Sequence, residues 1–288
     1  MKDKKVKAIF AIITFILIIC IGILVKNILS RENKEVNIAK DFIHDLAEKN
    51  IIDYYHKGDE INKNEPLNKL INQNSQIQYS VLVGNYGVDI DKDYNIIGFS
   101  NKNISKELNE QRSSYSLADE EVIDEKKAID YGIKYIEEIS NDEFKFKEVK
   151  NKEGEGNPYY IVVFYKCKDG YPIYKQEITT LIDKVSWKLQ GYSNYPLGNK
   201  DYIKDMKIDE EYAVNIVLDS FKNLNLIKDD IETIDVAYVE AEKDKLVLSY
   251  IFNIKNKKED KASENYLVII RGDNGEIISS NLETIKKN

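Results

Sequence analysis

The chain has 288 residues, of which 42% are hydrophobic and 32% charged, a composition typical of a folded protein with room for two or three modest domains. Its formal net charge is −8, although the first seven residues are rich in lysine, so the remainder is more acidic still. Because an acidic surface repels phosphate groups, these values exclude nucleic acid as a partner and make anionic lipid headgroups a poor one.

The first element is an uncharged apolar segment of eighteen residues, 8–25, which comes after Lys2, Lys4, Lys5 and Lys7. A helix of that length spans roughly 27 Å, enough to cross the hydrocarbon core of a bilayer. The positive-inside rule keeps the lysines in the cytoplasm and places the residues beyond the segment on the other side of the membrane. We therefore predict a single-pass signal-anchor in the cell membrane, with a cytoplasmic N-terminus and the bulk of the chain extracellular.

Three other interpretations of segment 8–25 compete with the anchor. A cleaved signal peptide needs small residues before the cut, and residues 25–27 do not supply them. A lipoprotein signal needs a small residue before the modified cysteine, but Ile19 precedes Cys20; lipidation of Cys20 stays open as a minor alternative. A soluble helix is rarely apolar on every face. The anchor is the favoured interpretation.

The rest of the chain repeats one unit, a helix and then about four strands. Segments 123–129 and 208–214 match as helix starts, and Asp124 and Asp209 are placed to cap the first turns. A strand–turn–strand pattern recurs at 90–101, 182–194 and 270–281. Strands joined by short turns favour an antiparallel sheet with its helix packed on one face.

The first predicted helix, 35–50, has an apolar stripe, and polar segments 57–75 and 102–117 are predicted to be loops or linkers. The predicted strands are 77–83, 87–90 and 96–100, then 144–149, 159–165 and 173–181, then 231–239, 246–254 and 266–270, with a hairpin turn at 272–275. The sequence therefore predicts an α+β protein. Its parts are the tail and anchor 1–30, a degenerate unit 31–117, and two clear units, 118–200 and 201–288.

Acidic patterns in the chain invite a metal or catalytic interpretation, and none holds. Asp89, Asp91 and Asp93 alternate as in a calcium loop, but Tyr94 and Ser100 occupy the positions where such loops need glycine and glutamate. The cluster 119–121 fits a helix N-terminal region, where carboxylates favour the dipole. No motif for a nucleophile, a metal or a nucleotide occurs. We predict no enzyme activity, no metal and no cofactor.

Two further motifs have simple structural explanations. Arg271–Gly272–Asp273 is the tripeptide that integrin-type receptors bind, but it falls in a predicted hairpin turn, which explains it better. Cys167 is expected to be a small strand-end residue. A cysteine nucleophile usually needs a base nearby, and the only histidines, His44 and His56, lie in the membrane-proximal region.

Aromatic residues crowd the second half of the middle unit. Tyr171, Tyr174, Trp187 and Tyr192 are the main members of this group. Packing within a sheet is the favoured explanation, because strands use aromatic residues widely. The alternative is a face that binds a protein partner, since Trp and Tyr anchor interfaces.

The hairpin 268–278 resembles the closing hairpin of PepSY-type domains, and Asp209–Ala213 resembles their helix start. The middle unit is similar to the YcdB/YcdC variant, and with the anchor it is also similar to the YycH/YycI regulators of a cell-wall sensor kinase. The closing hairpin of PepSY-type domains has a V-D-x-x-x-G-E/K turn, and no copy in this chain has the whole motif. Asp91 and Asp183 match its aspartate, but Asn95 and Trp187 stand where its glycine belongs, while the last copy has Gly275 and replaces the aspartate with Arg271.

PepSY-type domains are commonly regulatory or inhibitory parts of exported proteins and have no catalytic residues of their own. The resemblance therefore implies tandem PepSY-like units and a non-enzymatic extracytoplasmic protein. Such a protein would bind and regulate an envelope partner, either a sensor kinase or a protease. The alternative is a structural or envelope-assembly protein that uses the repeats as a spacer or scaffold.

Overall fold

The computed structural model describes residues 34–53, 61–64, 76–102, 124–150, 158–256 and 264–280. Within these ranges the protein is a mixed α+β structure, as predicted. Its helices are α1 (Lys34–Glu48), α2 (Glu125–Ile139) and α3 (Glu210–Ser220). Its strands are β1 (Ile61–Asn64), β2 (Tyr79–Val83), β3 (Tyr86–Ile90), β4 (Ile96–Asn101), β5 (Glu143–Lys150), β6 (Tyr159–Lys168), β7 (Tyr171–Asp183), β8 (Leu189–Asn194), β9 (Asp201–Ile203), β10 (Ile231–Glu242), β11 (Lys245–Asn256), β12 (Glu264–Arg271) and β13 (Ile277–Ser280).

The predicted anchor, residues 8–25, lies outside the described residues. Within the ranges that are described, no helix is both long enough and apolar enough to cross a membrane. The acidic cluster 119–121 and His56 also lie outside these ranges.

The chain divides into two compact units, and the division does not run through the sequence in one pass. Unit 1 is Met1–Glu121 with Val185–Ser193, and unit 2 is Val122–Lys184 with Asn194–Asn288. The domain boundaries expected from the sequence are not tested by this division and stay a prediction.

Unit 1 packs one helix on a short antiparallel sheet. Strands β1 to β4 pair in chain order, and β8 joins the free side of β4, with Phe99 opposite Tyr192. The buried face of α1 meets the alternating inward residues of β2 and β3. This core includes Ala39, Ile43, Leu46, Val81, Val83, Val88 and Ile90.

The first half of unit 2 has the same plan. The carboxylate of Asp124 accepts a hydrogen bond from the backbone N–H of Lys127 at 2.9 Å, which confirms the predicted cap of α2. Strands β5, β6 and β7 pair in order. Helix α2 lies close to this sheet at Gly132, where an added Cβ would stand 3.0 Å from the ring of Phe164.

The second half of unit 2 repeats that plan. Asp209 caps α3 by accepting from the N–H of Tyr212 at 2.7 Å, as predicted. Strands β10 to β13 pair antiparallel in chain order, and β9 adds in parallel to β11. The buried face of α3 covers a cluster of sheet residues that includes Phe252, Ile254, Val268 and Ile270.

A β-bulge at matching positions relates the two halves of unit 2 as structural repeats. In β5 the register shifts around Lys147, and in β10, the strand in the same place after its helix, it shifts around Ile234. These bulged residues are 87 positions apart, close to the spacing of the predicted repeats. The β5 and β10 strands are therefore structural equivalents.

The turns correct one detail of the predicted motif. In the first copy Tyr94, not Asn95, takes the left-handed conformation, with φ 69°. Trp187 (φ 60°) and Gly275 (φ 78°) take it in the other two copies. The first turn is one residue shorter, because the backbone of Asp91 bonds to Asn95 where that of Arg271 bonds to Glu276.

The structure has two strands, β1 and β9, that the sequence does not predict. The sequence predicts a loop at 57–75, and this is wrong at β1, which pairs with β2. Strand β9 was also not predicted. The sequences of β1 and β9, Ile–Asn–Lys–Asn and Asp–Tyr–Ile, lack a run of β-branched residues, and backbone hydrogen bonds to a neighbouring strand hold them in place.

Candidate functional site

The four aromatic residues singled out in the sequence lie in different surroundings. Tyr171 and Tyr174 are half-buried on β7 of unit 2. Tyr171 packs against a cluster around Tyr238, whereas Tyr174 packs against another cluster around Ala237 and Val239. In unit 1, Trp187 is half-buried in the turn before β8, and Tyr192 is buried. A partner face that unites all four residues stays a prediction.

Tyr171 belongs to a three-tyrosine cluster where the two halves of unit 2 meet. Ile173 of β7 pairs in parallel with Tyr238 of β10, which brings Tyr171 on β7 close to the Tyr238 ring. Tyr171 and Tyr202 each meet the Tyr238 ring edge to face, at centroid distances of 6.4 and 5.1 Å. This is a favourable geometry for aromatic rings, so the cluster joins the two halves of the unit.

Tyr238 is fully buried at the centre of this cluster. Its hydroxyl makes no hydrogen bond to any residue that the structure describes. Burial raises the pKa of Tyr238, and the negative charges of Asp169 and Glu143 raise it further. Tyr238 is therefore neutral at physiological pH.

Two lysines stand over the outer rings. Lys204 Nζ lies 6.0 Å from the centre of the Tyr171 ring, and Lys168 Nζ lies 6.0 Å from that of Tyr202. Both ammonium groups are 3.9 Å from the carboxylate of Asp169, in the two-residue turn between β6 and β7. The result is a half-exposed aromatic surface with a basic rim, which we call the Tyr171 surface: Tyr171, Tyr202, Lys168 and Lys204.

A cleft of about 340 Å³ borders this surface at Tyr202. Residues 198–202 and Asp244 line it. Lys200 closes one side, with its ammonium 2.8 Å from Glu240 and 2.9 Å from Asp244. Hydrogen bonds to these two carboxylates raise the pKa of Lys200, so the lysine stays charged and the wall of the cleft is held in place.

A polar cluster lies near Tyr202, where the segment after α2 meets Lys166 of β6 and Asn194 of β8. One oxygen of Asp142 accepts hydrogen bonds from the Asn194 amide at 2.7 Å and the Ser140 hydroxyl at 2.9 Å, and it lies 3.2 Å from the ammonium of Lys166. Burial alone would raise the pKa of Asp142, but the Asn194 hydrogen bond and the Lys166 charge together lower it. The Lys166 ammonium also donates to the carbonyl of Tyr195. This cluster stabilises the fold around the Tyr171 surface.

Cys167 is a buried residue near the end of β6, as the sequence predicted. Burial raises the pKa of its thiol to about 11. At neutral pH the thiol is therefore protonated, and a protonated thiol is a poor nucleophile.

The other motifs that suggested chemistry are engaged in turns. The carboxylate of Asp91 accepts from the backbone N–H groups of Asp93 and Asn95, each at 2.8 Å. Arg271 forms a two-point pair with Asp273, at 2.9 and 2.8 Å. The receptor-type tripeptide 271–273 is thus closed on itself. Among the described residues no group of three His, Cys, Asp or Glu side chains is placed to hold a metal.

Sequence reasoning missed Tyr202, Tyr238 and the lysines that complete the site. One signal was available: Lys166 lies within the otherwise apolar strand β6, and a lysine at a buried strand position requires a carboxylate. No local pattern identifies that carboxylate, because Asp142 reaches Lys166 only through the pairing of β5 with β6.

No protein-family model matches this chain, and no curated protein matches it either. Solved structures do match. The C-terminal domain of YpeB from Bacillus megaterium aligns with a TM-score of 0.50 at 13% identity, over 87% of this chain and 96% of that one. An uncharacterized protein from Eubacterium rectale aligns with a TM-score of 0.38 at 12% identity, over 82% of this chain and 80% of that one. The likeness to the YpeB domain concerns the fold alone.

Proposed function

We propose that this chain is a membrane-anchored extracytoplasmic protein that binds and regulates another envelope protein and has no enzyme activity of its own. The observation that supports binding is the Tyr171 surface, in which tyrosine rings with a lysine rim stand beside a cleft. Tyrosine anchors protein interfaces because its ring loses apolar area to the partner while its hydroxyl stays hydrated. Lys168 and Lys204 share the single carboxylate of Asp169, and the remaining positive charge of this rim favours a partner with an acidic patch.

The engagement of three ionisable side chains, Cys167, Asp142 and Arg271, supports a non-enzymatic role. The Cys167 thiol has a raised pKa, the Asp142 carboxylate already accepts several donors, and Arg271 is bound to Asp273. General acids, bases and nucleophiles need a group free to reach a substrate. The proposal therefore gives these side chains a role in stability and assigns partner binding to the Tyr171 surface.

The class of partner rests on the sequence. The anchor at 8–25 puts the bulk of the chain outside the membrane, and the resemblance to YycH/YycI regulators favours a sensor kinase as the partner, with a protease as the alternative. No nucleic acid, metal or cofactor takes part in this function.

The binding test uses the full chain in its own cell membrane. A photo-crosslinking amino acid replaces Tyr171 in one variant and Tyr212, an exposed tyrosine of unit 2 outside the surface, in a control. We expect one envelope protein to crosslink from position 171 and not from 212, and its activity to change when this chain is deleted. A purified chain that turns over a substrate, and stops doing so after one point substitution, would disprove the non-enzymatic role.

The location is tested separately. Exposed Lys222 is replaced by cysteine in a Cys20→Ser, Cys167→Ser background, and intact cells are treated with a thiol reagent that cannot cross membranes. We expect labelling of a chain that stays in the membrane pellet after alkaline extraction. Labelling only after the cells are broken would show that the bulk of the chain is inside.

A further inference from the structure

Strand β5 is an outer strand of unit 2. Along one side it pairs with β6 from Glu143 to Lys150. Along the other side, no strand of the described residues pairs with it. Because alternate residues of a strand direct their N–H and C=O groups to opposite sides, this outer edge presents a row of backbone donors and acceptors.

The other half of unit 2 provides a comparison for the pairing of this edge. Strand β10 is the counterpart of β5, and both carry the bulge at the same place. β10 pairs with β11 along one side, and on the other it accepts β7 in parallel, with Tyr238 opposite Ile173. β10 therefore receives a strand at Tyr238, just beyond residues 230–237, which the 87-residue spacing matches to Glu143–Lys150; within the described residues the outer edge of β5 is open.

The side chains of β5 define what would pair there. Phe144 and Phe146 lie on one face, where both contact the ring of Phe164 edge to face, and Phe146 keeps 39% of its surface exposed. Lys145, between them, is exposed and has no ion-pair partner within the described part of the chain. Lys150, at the far end, is exposed and lies 3.5 Å from Glu148 and 3.9 Å from Glu177. The edge thus offers apolar contact at Phe146 on one face and a positive charge at Lys145 on the other.

From this geometry we infer that the outer edge of β5 is a docking site for an extended segment of a partner protein that carries alternating apolar and acidic residues. Backbone hydrogen bonds to β5 supply affinity, as in other cases of strand addition. An apolar side chain covers Phe146, and a carboxylate pairs with Lys145. The site is separate from the Tyr171 surface and does not depend on it.

The bulge at Lys147 sets the limits of this site. Bulges and lysines on edge strands prevent indiscriminate pairing between sheets. Lys147 is itself engaged by Glu177 of β7, so it is not available to a partner. Pairing would then be restricted to short segments whose carboxylates match Lys145, which makes the edge selective.

The test measures binding of a fluorescein-labelled peptide of alternating valine and glutamate to the full chain in nanodiscs. A control peptide replaces alternate residues with proline, which cannot donate backbone hydrogen bonds. We expect the first peptide to bind, and to protect amides of Glu143–Lys150 from hydrogen exchange, whereas the proline peptide does neither.

Three variants locate the site. Lys145→Glu and Phe146→Ser are each expected to weaken binding by about tenfold, which corresponds to losing one good contact. Lys222→Glu, a charge reversal on an exposed lysine after α3, should leave binding unchanged. Thermal unfolding of each variant shows whether the fold is intact, and Lys145→Glu keeps the test valid if Phe146→Ser disturbs packing against Phe164.

The inference is overturned if no peptide binds, if the proline peptide binds equally well, or if Lys145→Glu leaves affinity unchanged. It is also overturned if the chain dimerises in solution and Lys145→Glu abolishes the dimer, since the occupant of the edge would then be a second copy. The proposed function is unaffected by these results, because crosslinking from position 171 reports on a different surface. Conversely, peptide binding at β5 with no partner at position 171 would leave this inference standing and the proposed function without support.

Discussion

At the scale of single residues, the stability of unit 2 depends on how a buried charge is compensated. The Lys166 side chain is 8% exposed and lies 3.2 Å from Asp142. Removing one partner of a buried pair is costly because the other stays desolvated, and here the cost is moderated because the Asp142 side chain is 38% exposed. Asp142→Asn is therefore expected to lower the free energy of unfolding by about 1–3 kcal/mol at pH 7.

The pH dependence identifies the cause of that loss. The pKa of Asp142 is below its ordinary value of 3.8, so its contribution is complete above that pH and is lost as the pH falls below it. The difference between wild type and Asp142→Asn, measured by denaturant unfolding monitored on unit 2, should shrink below about pH 4. Asp219→Asn, at a side chain that is 75% exposed, is the control and should change little. A difference that stays constant down to pH 2 would assign the loss to packing.

Tyr238 provides a second prediction at this scale. Its buried hydroxyl has no hydrogen-bond partner in the described residues, so Tyr238→Phe removes a desolvated polar atom and keeps the ring contacts. We expect the free energy of unfolding to rise by about 1 kcal/mol. Tyr250→Phe is the matched control, because that hydroxyl donates to the carbonyl of Ile208 at 3.1 Å, and its loss should be destabilising. If Tyr238→Phe also destabilises the protein, a buried water satisfies the hydroxyl.

At the scale of elements, the sequence predicts the features that local rules control. The caps at Asp124 and Asp209 and the long strands result from a carboxylate before an acidic turn and from β-branched runs. The features that it does not predict depend on contacts distant in the sequence. The pairing of Ile173 with Tyr238 brings Tyr171 to Tyr202, and no local pattern encodes that approach. Tyr171 is therefore the one residue of the Tyr171 surface that the sequence predicts.

Gly132 shows how closely one element meets another. It lies in the middle of α2, and an added Cβ would stand 3.0 Å from the Phe164 ring and 3.3 Å from the Thr180 hydroxyl. Gly132→Val should lower the free energy of unfolding by about 1–3 kcal/mol, because overpacking shifts α2 away from β6. Lys134→Val, at an exposed position of the same helix, controls for helix propensity and should have a small effect. An equal loss in both variants, measured by thermal unfolding, would contradict close packing at Gly132.

At the scale of the whole molecule, the order of the chain and the order of the structure differ. Residues 185–193 come after the first half of unit 2 in sequence, yet they complete unit 1, since β8 pairs with β4 and the N–H of Leu189 donates to the carbonyl of Ile51 at 2.9 Å. Lys188 adds a hydrogen bond to the backbone carbonyl of Asn50. In this division, unit 1 includes a segment that the sequence assigns to the repeat at 118–200.

This arrangement predicts which unit a cavity in β8 will destabilise. The Leu189 side chain is fully buried, so Leu189→Ala should cost about 2–4 kcal/mol. We expect faster hydrogen exchange in peptides covering residues 79–101 of unit 1 and no change in residues 245–256 of unit 2. Leu246→Ala, at a buried position of β11, should show the reverse pattern. If Leu189→Ala instead accelerates exchange only in unit 2, residues 185–193 belong energetically to the 118–200 repeat, and the boundary expected from the sequence is correct.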